Sequence, residues 1–564
     1  MSEKSGGPKM GPGRVNMLTC ENVEVSKRSE KPTDEPEEMV IFRSENGLEG
    51  KETPLKKVLT NLREHVFNQL PIRLLCFHKS KLDKSKLTIS LLERAEVYSY
   101  LEQNFREHMT RHDEIPAAFV VPRKYHPIAA SKYAILSHTW LQSSAEVTYD
   151  NWKNGDDLDL SHKGYQKLVN FCRIAEAEYN VTLGWMDTVC IDKSSSSELD
   201  ESIRSMYKWY EEAEICITYL ADSSSVYNMV NDRWFTRGWT LQELLAPECL
   251  NFYTQDWKRL TGPEPNNDKK IKEIQEIIFN ATGIARHHIE NLGFASIPTK
   301  MQWAAKRQVT RDDDAVYSLM GLFGVSMSIA YGEGPKRAFS RLVNEIINVT
   351  PSEDILDIFN FGGGPRIVDK LKNDILPLTP KLYLNSSNLK FSRGRLIKPL
   401  VMTHLGLRIP VLLLKAALGS SSSEKYTSIG DYFANINYIT VSRNFTTWSS
   451  RTSHLNILDI LSQKVSLDPV SRYFQVAVLN CAAAPDIADI HIPEKCLAVI
   501  YLNYSSPGKE PPQIGPTTKL YKIATKAPVI FNLKNHKRQP VNGFYTIPRS
   551  ELAHHGMQFL TMYL

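Results

Sequence analysis

An α/β fold followed by a β-rich domain is what this sequence predicts, and three observations predict it. Between Tyr133 and Thr254, short apolar runs alternate with stretches of helical periodicity. After about residue 376 the pattern changes to short apolar runs separated by Ser, Pro, Gly and Asn. The length, 564 residues, exceeds what one hydrophobic core ordinarily holds, so two or three domains are expected.

The elements follow in order. Residues 1–65 are rich in Lys, Glu, Ser, Gly and Pro and cannot bury enough apolar surface to offset their ordering entropy, so they are expected to be a disordered arm. Tyr133–Ser137 reads as a buried strand. Tyr165, Leu168, Cys172, Ala175 and Tyr179 recur at three- and four-residue spacing and mark a helix. Val181–Met186 is a second strand. Ser195 and Glu198 fit a capping box at the start of the next helix, whose apolar stripe is Ile203, Met206, Tyr207 and Tyr210. Ile215–Leu220 is a third strand. A short helix, Thr240–Leu245, and a strand, Leu250–Thr254, come next. Strands joined by helical crossovers imply a parallel sheet.

Further helices are expected at Met301–Arg307, Asp312–Phe323 and Lys336–Ile347. Gly332 and Gly334 before Pro335 read as a turn leading into the last of these. The domain plan is therefore an arm, 1–65, an α/β domain with a helical extension, 66–350, a linker, 351–375, that includes Gly362–Pro365, and a β-rich domain, 376–564. The runs Leu407–Leu414, Tyr473–Leu479, Leu497–Leu502, Leu520–Ala524 and Val529–Leu533 suggest an antiparallel sandwich or barrel.

Composition narrows function. Hydrophobic residues make up 42% and charged residues 23%, the globular range. With 68 basic and 63 acidic residues the net charge is +5, close to balance for this size, which argues against a nucleic-acid binder. The basic cluster at Lys534, His536, Lys537 and Arg538 reads as a solvated loop. Eight scattered cysteines form no CxxC pair and stand at no metal-ligand spacing, so reduced, buried thiols are expected and no metal. The polar N-terminus lacks the apolar core of a secretory signal, and no stretch has the length and apolarity of a membrane span. A soluble cytoplasmic protein is expected. No P-loop, dinucleotide fingerprint, HExxH or GxSxG occurs, and no bound cofactor is expected.

The candidate site lies where the predicted strands end, because ligands of open α/β sheets bind outside the carboxyl ends of the strands. The first strand runs into Ser137 and His138, the second into Asp187 and the third into Asp222. His138 could bond a ligand or cap the strand. Asp187 and Asp222 could bind ribose hydroxyls or cap loops. Arg237, Trp239, Gln242 and Glu243 form a compact group, in which Arg could clamp a phosphate and Trp stack on a ring. Its structural counterpart is an internal Arg–Glu pair with a core Trp. Trp140, Trp185 and Trp234 are expected in the core.

Several blocks together resemble a known family. Tyr133–Trp140, Trp185–Lys193 with its continuation Glu201–Tyr210, and Arg237–Pro247 resemble the three motifs of the fungal heterokaryon-incompatibility (HET) domain. Trp303-Ala304, Arg311–Gly321 and Tyr331–Gly334 are similar to the downstream part of such proteins. Leu141 stands where the first motif usually has Gly. The resemblance implies a fungal protein of non-self recognition whose output is programmed cell death. Its partners would be further copies of itself or other incompatibility proteins. HET domains distantly resemble TIR domains, which implies a flavodoxin- or TIR-like parallel sheet. Some TIR domains cleave NAD and others only assemble signalling complexes. That analogy makes NAD a candidate substrate and Glu201 the candidate catalytic carboxylate, with Ser137, His138, Asp187, Arg237, Trp239, Gln242 and Glu243 binding ligand. On the helical wheel Glu201 lies opposite its helix's apolar stripe.

Overall fold

The computed structural model describes residues 18–19, 39–42 and 54–350, apart from short gaps at 80–86, 112–118, 123–125, 142–144, 156–160 and 263–265. Beyond 350 it describes 355–359, 361, 376–384, 386, 400–403, 406–420, 436–442, 445–448, 473–479, 481–483, 489–493, 495–502, 521–522, 529–535, 544–552 and 557–563. Two compact units divide between Ala281 and Thr282, inside the stretch read from sequence as one domain.

The first unit is an α/β layer built on a mixed sheet. Helix α1 spans Pro54–Asn68, and strands β1, Arg73–Lys79, and β2, Leu87–Glu93, form a hairpin that leads into α2, Arg94–Glu107. The strand β3 is Tyr133–His138, helix α3 Lys163–Tyr179 and strand β4 Leu183–Trp185. Helix α4 is Ser196–Glu211, strand β5 Ile215–Tyr219, helix α5 Thr240–Leu245 and strand β6 Leu250–Tyr253. The strand order is β2-β1-β4-β3-β5-β6, with a two-residue strand, Leu18–Thr19, beyond β2. β4, β3, β5 and β6 pair in parallel, whereas β1 pairs antiparallel with both β2 and β4.

The first parallel strand thus lies between the second and the third. Chain winding reverses there, and right-handed crossovers then cover both faces of the sheet. All six residues of β3 are buried accordingly. Its neighbours on the core side include Trp185, Trp209 and Tyr210, the last two on α4 and packed edge-on to Trp185.

Local signals held well in this unit. Ser195 caps α4 by accepting the Glu198 amide at 3.4 Å. The reciprocal half of the capping box is missing, because the Glu198 carboxylate accepts instead from the Asp192 amide at 2.7 Å and pairs with Arg73. The expected arm is ordered earlier than 66: α1 begins at Pro54 and buries Leu62 and Val66, and Met39–Phe42 forms a short strand.

In the second unit, the helix expected at Met301–Arg307 runs Ile297–Ala305, and that at Lys336–Ile347 runs Pro335–Val349. Gly332 and Gly334 have φ of +92° and +82°, and Pro335 opens the helix, as a turn requires. The helix expected over Asp312–Phe323 breaks into Asp314–Tyr317 and a 3-10 turn, Gly321–Phe323, before Gly324 at φ +65°. Of the expected linker, Ile355–Phe359 is a 3-10 turn with Ile355 and Ile358 buried; Gly362–Pro365 lies outside the described residues.

The C-terminal strands are antiparallel, as expected. Gly406–Ser420, Ile436–Ser442, Phe445–Trp448, Val529–Asn535, Lys495–Leu502 and Tyr473–Val478 pair in that order, and the last pairs back with Gly406–Ser420. The described strands therefore pair around a closed ring. Leu407, Ile409 and Val411 are buried at alternate positions of its longest strand, and Leu412 and Leu413 are buried as well.

Candidate functional site

The site grows out of the last two residues of β3. Successive side chains of a strand point to opposite faces, so Ser137 and His138 serve different neighbours. Ser137 is fully buried; its hydroxyl donates to Glu243 at 2.5 Å and accepts from the Trp234 indole at 2.8 Å. Ser137, Trp234 and Glu243 thus lock α5 and the turn before it onto the sheet. This is a structural knot, and it occupies two residues expected to bind ligand.

His138 faces the other way, into a charged cluster. Its imidazole is 1% exposed, and neither ring nitrogen has a hydrogen-bond partner among the described residues. Nε2 lies 3.6 Å from Asp187 and 4.0 Å from Glu146, both beyond hydrogen-bond length. Glu146 is itself buried, paired with the buried Lys167 at 2.7 Å, and it accepts the Leu141 amide at 2.8 Å. A buried polar group left unpaired is costly, so native structures rarely keep one without a reason.

Burial holds the His138 pKa well below its usual value, and Lys167, Lys193 and Arg237 push it further the same way. The two nearby carboxylates would pull upward, but each is already engaged by a lysine, Glu146 by Lys167 and Asp187 by Lys193. The imidazole is therefore neutral at pH 7. Burial also lowers Lys167, with Glu146 acting against it.

The lysine and Glu146 were not among the sequence candidates. One signal for Lys167 was present, since Gly164, Lys167, Phe171 and Ala175 share a buried stripe of α3. Glu146 is brought in by a close approach that sequence does not show. A Cβ on Gly164 would stand 2.5 Å from the Ala145 carbonyl and 2.6 Å from the Val147 amide, so only glycine lets that backbone rest on α3.

Asp187 sits beside His138 as expected, though as the first residue of a short helix, Asp187–Cys190, rather than as a strand end. Its Oδ2 accepts the Trp140 indole at 2.8 Å. Trp140 corrects an expectation: it is 45% exposed, not core, because β3 ends two residues before it. Trp185 and Trp234 are buried as expected. Lys193 lies with Nζ 3.7 Å from the Trp140 ring centroid and 3.7 Å from Asp187.

Arg237 and Trp239 are half-buried at the entry to α5, and Gln242 is buried with its Nε2 unpartnered among the described residues. Asp222 pairs with Arg233 at 3.1 Å on the surface. Glu201 stands apart from the cluster: its carboxylate takes Arg94 at 2.7 Å and its side chain is 44% exposed. The other Arg94 donors hold the Leu70 carbonyl, so this pair fastens α4 to the start of α2.

The match to known proteins falls on this region. Residues 133–229 match the family model described as heterokaryon incompatibility protein (HET). The chain carries a HET domain. Vegetative incompatibility protein HET-E-1 of Podospora anserina is 37% identical over 227 residues, which cover 38% of this chain. They cover only 16% of that relative's length. No solved structure matches the chain. The HET match spans β3, α3, β4, α4 and β5, and so takes in His138, Trp140, Glu146, Lys167 and Asp187.

The remaining expectations concern chemistry and location. Cys76, Cys172, Cys190, Cys216 and Cys481 are buried, and burial pushes the Cys76 thiol up to about 11 and that of Cys190 up to about 12. No described helix is long and apolar enough to cross a membrane.

Proposed function

We propose that the chain acts in fungal non-self recognition of the heterokaryon-incompatibility type, in the cytoplasm, with programmed cell death as its output. The HET domain and the relative's name as a vegetative incompatibility protein support this. We further propose that the sheet edge around His138 is a ligand site with NAD as its substrate. The observation that carries this is the buried His138, whose two ring nitrogens have no hydrogen-bond partner among the described residues, beside Asp187. The order of the parallel strands, with the first between the second and third, supports a flavodoxin- or TIR-like reading of the sheet.

In this reading water hydrolyses the bond between nicotinamide and ribose. The C–N electron pair leaves with nicotinamide, which departs neutral, and positive charge spreads over the ribose ring. Water adds to that carbon and gives up a proton, leaving ADP-ribose. A carboxylate beside the ribose stabilises the developing cation, as in glycoside hydrolysis. Both carboxylates have partners, Asp187 in Lys193 and Trp140 and Glu201 in Arg94, but Asp187 suits this role better because it flanks His138. His138 would orient ribose hydroxyls and Arg237 would hold phosphate. The test is nicotinamide release from NAD by the purified full chain. Asp187→Asn is expected to lose roughly a hundredfold in turnover. A wild-type chain that releases no nicotinamide defeats the NAD reading.

A second reading is a non-enzymatic module that triggers death by self-association or by docking on other incompatibility proteins. Tyr227 favours it, being 91% exposed in the 3-10 turn Val226–Asn231. Sedimentation of wild type against Tyr227→Ser tests that reading.

A further inference from the structure

We propose that the exposed face of Trp140 is a platform for a planar organic cation, an N-alkylpyridinium being the class that fits best. The proposal rests on the reading of this sheet edge as a ligand site.

Three observations lead there. Trp140 lies beyond the end of β3 with 45% of its surface exposed. The ring is nonetheless fixed, since its indole N–H donates to Asp187 Oδ2 at 2.8 Å. A rigid aromatic surface fixed at a sheet edge can bind a ring with little further loss of freedom. Finally, the face already carries a cation: the Lys193 ammonium lies 3.7 Å from the ring centroid and 3.7 Å from the same carboxylate.

The π face of Trp140 and the charge of Asp187 therefore define a spot that selects positive charge. Lys193 occupies it from a flexible four-carbon stem with a third of its side chain exposed, so it can swing out. A compact ammonium covers little of an indole, whereas a flat ring that carries its charge in the ring plane covers more and keeps the attraction. The displaced Lys193 and the nearby Arg237 would then face any anionic tail on the ligand. A neutral ring of the same shape would gain the stacking but would have to displace a cation without replacing its charge.

The experiment titrates the full chain with the N-methylnicotinamide cation and with neutral nicotinamide, followed by calorimetry. Wild type should bind the cation about three- to thirtyfold more tightly than the neutral ring. Trp140→Ala should abolish that preference, Trp140→Tyr should restore part of it, and Lys193→Ala should tighten the cation by removing its competitor. Unaltered circular dichroism of Trp140→Ala, expected for an exposed residue, assigns the loss to the platform. Equal affinities in wild type, no binding of either probe, or a preference that survives Trp140→Ala would overturn the proposal. A cation preference in a chain that releases no nicotinamide from NAD leaves the platform standing and removes only NAD as substrate. Nicotinamide release with KM unchanged by Trp140→Ala does the reverse.

Discussion

Two groups of charged side chains flank the same α/β core, and they are built differently. On the β1–α2 side, Arg73 pairs with Glu198, and Arg94 pairs with Glu201. Arg73 also covers the Tyr149 ring at 4.3 Å, and Glu198 accepts the Asp192 amide. Each carboxylate there has a guanidinium partner, and the pairs join elements. On the α3 side, Glu146 and Lys167 form a buried pair, but His138 beside them has no hydrogen-bond partner among the described residues. The two groups thus differ in that an imidazole buried beside the second pair has no hydrogen-bond partner among the described residues, whereas each carboxylate of the first has an arginine partner.

The comparison would break first at Lys167. Lys167→Met leaves the Glu146 carboxylate buried without its cation and should destabilise the first unit by roughly 3–5 kcal/mol in urea unfolding. Arg94→Met breaks a pair whose Glu201 side chain is 44% exposed and should cost less, about 1 kcal/mol. Equal losses at the two positions would mean that the buried pair has water enough to behave like a surface one. The double variant Lys167→Met/Glu146→Leu should recover most of the loss, since replacing a buried pair by apolar residues is often neutral.

Gly164 tests how the cluster is assembled. Gly164→Ala sets a methyl group against the Ala145 carbonyl and the Val147 amide, both backbone, so relief requires the chain to shift. The expected cost is about 1–3 kcal/mol, as for overpacking. Glu146 should move away from Lys167, which a crystal structure of the variant would show.

His138 itself gives a pH dependence with a definite sign. Its usual pKa is 6.5, and the folded value lies well below that because of burial first and then Lys167, Lys193 and Arg237. Below pH 6.5 the unfolded chain takes up a proton that the folded chain refuses. Stability conferred by neutral His138 is therefore complete above that pH and is lost as pH falls, by up to about 1.4 kcal/mol per pH unit until the folded pKa is reached. Comparing unfolding free energies of wild type and His138→Asn between pH 7 and about 5 should show the steeper decline in wild type. Parallel curves would show the imidazole to be solvated or paired after all.

How far the sequence revealed this arrangement depended on the range of the interaction. The Ser195 cap, the strand Tyr133–His138 and the helix Thr240–Leu245 follow from neighbours within four residues, and each was legible. Lys167 was legible in principle, as a cation on a buried helical stripe. Glu146 was not, because its role comes from an approach of two backbones 18 residues apart, from 146 to 164. Trp140 was misplaced because apolar character alone does not say where a strand stops. Likewise the apolar runs after residue 400 marked strands but not the pairing of Tyr473–Val478 back onto Gly406–Ser420, which closes the ring.

The smallest expected effect sharpens the comparison most. Glu201→Gln keeps the size and hydrogen bonding of the side chain and removes only its charge. The carboxylate is 44% exposed and its partner Arg94 also bonds the Leu70 carbonyl, so solvent and that second bond soften the loss. A stability change of about half a kcal/mol or less is expected, small enough that the fold persists and turnover can be compared directly. If Asp187 stabilises the charge on ribose, NAD turnover by Glu201→Gln should stay within a few-fold of wild type, while Asp187→Asn loses roughly a hundredfold. The opposite pattern, a hundredfold loss at Glu201 with Asp187→Asn active, would mean that Arg94 releases its carboxylate when ligand binds. The satisfied cluster, not the unsatisfied one, would then hold the chemistry, and the distinction drawn between the two sides of the sheet would fail at its most exposed residue.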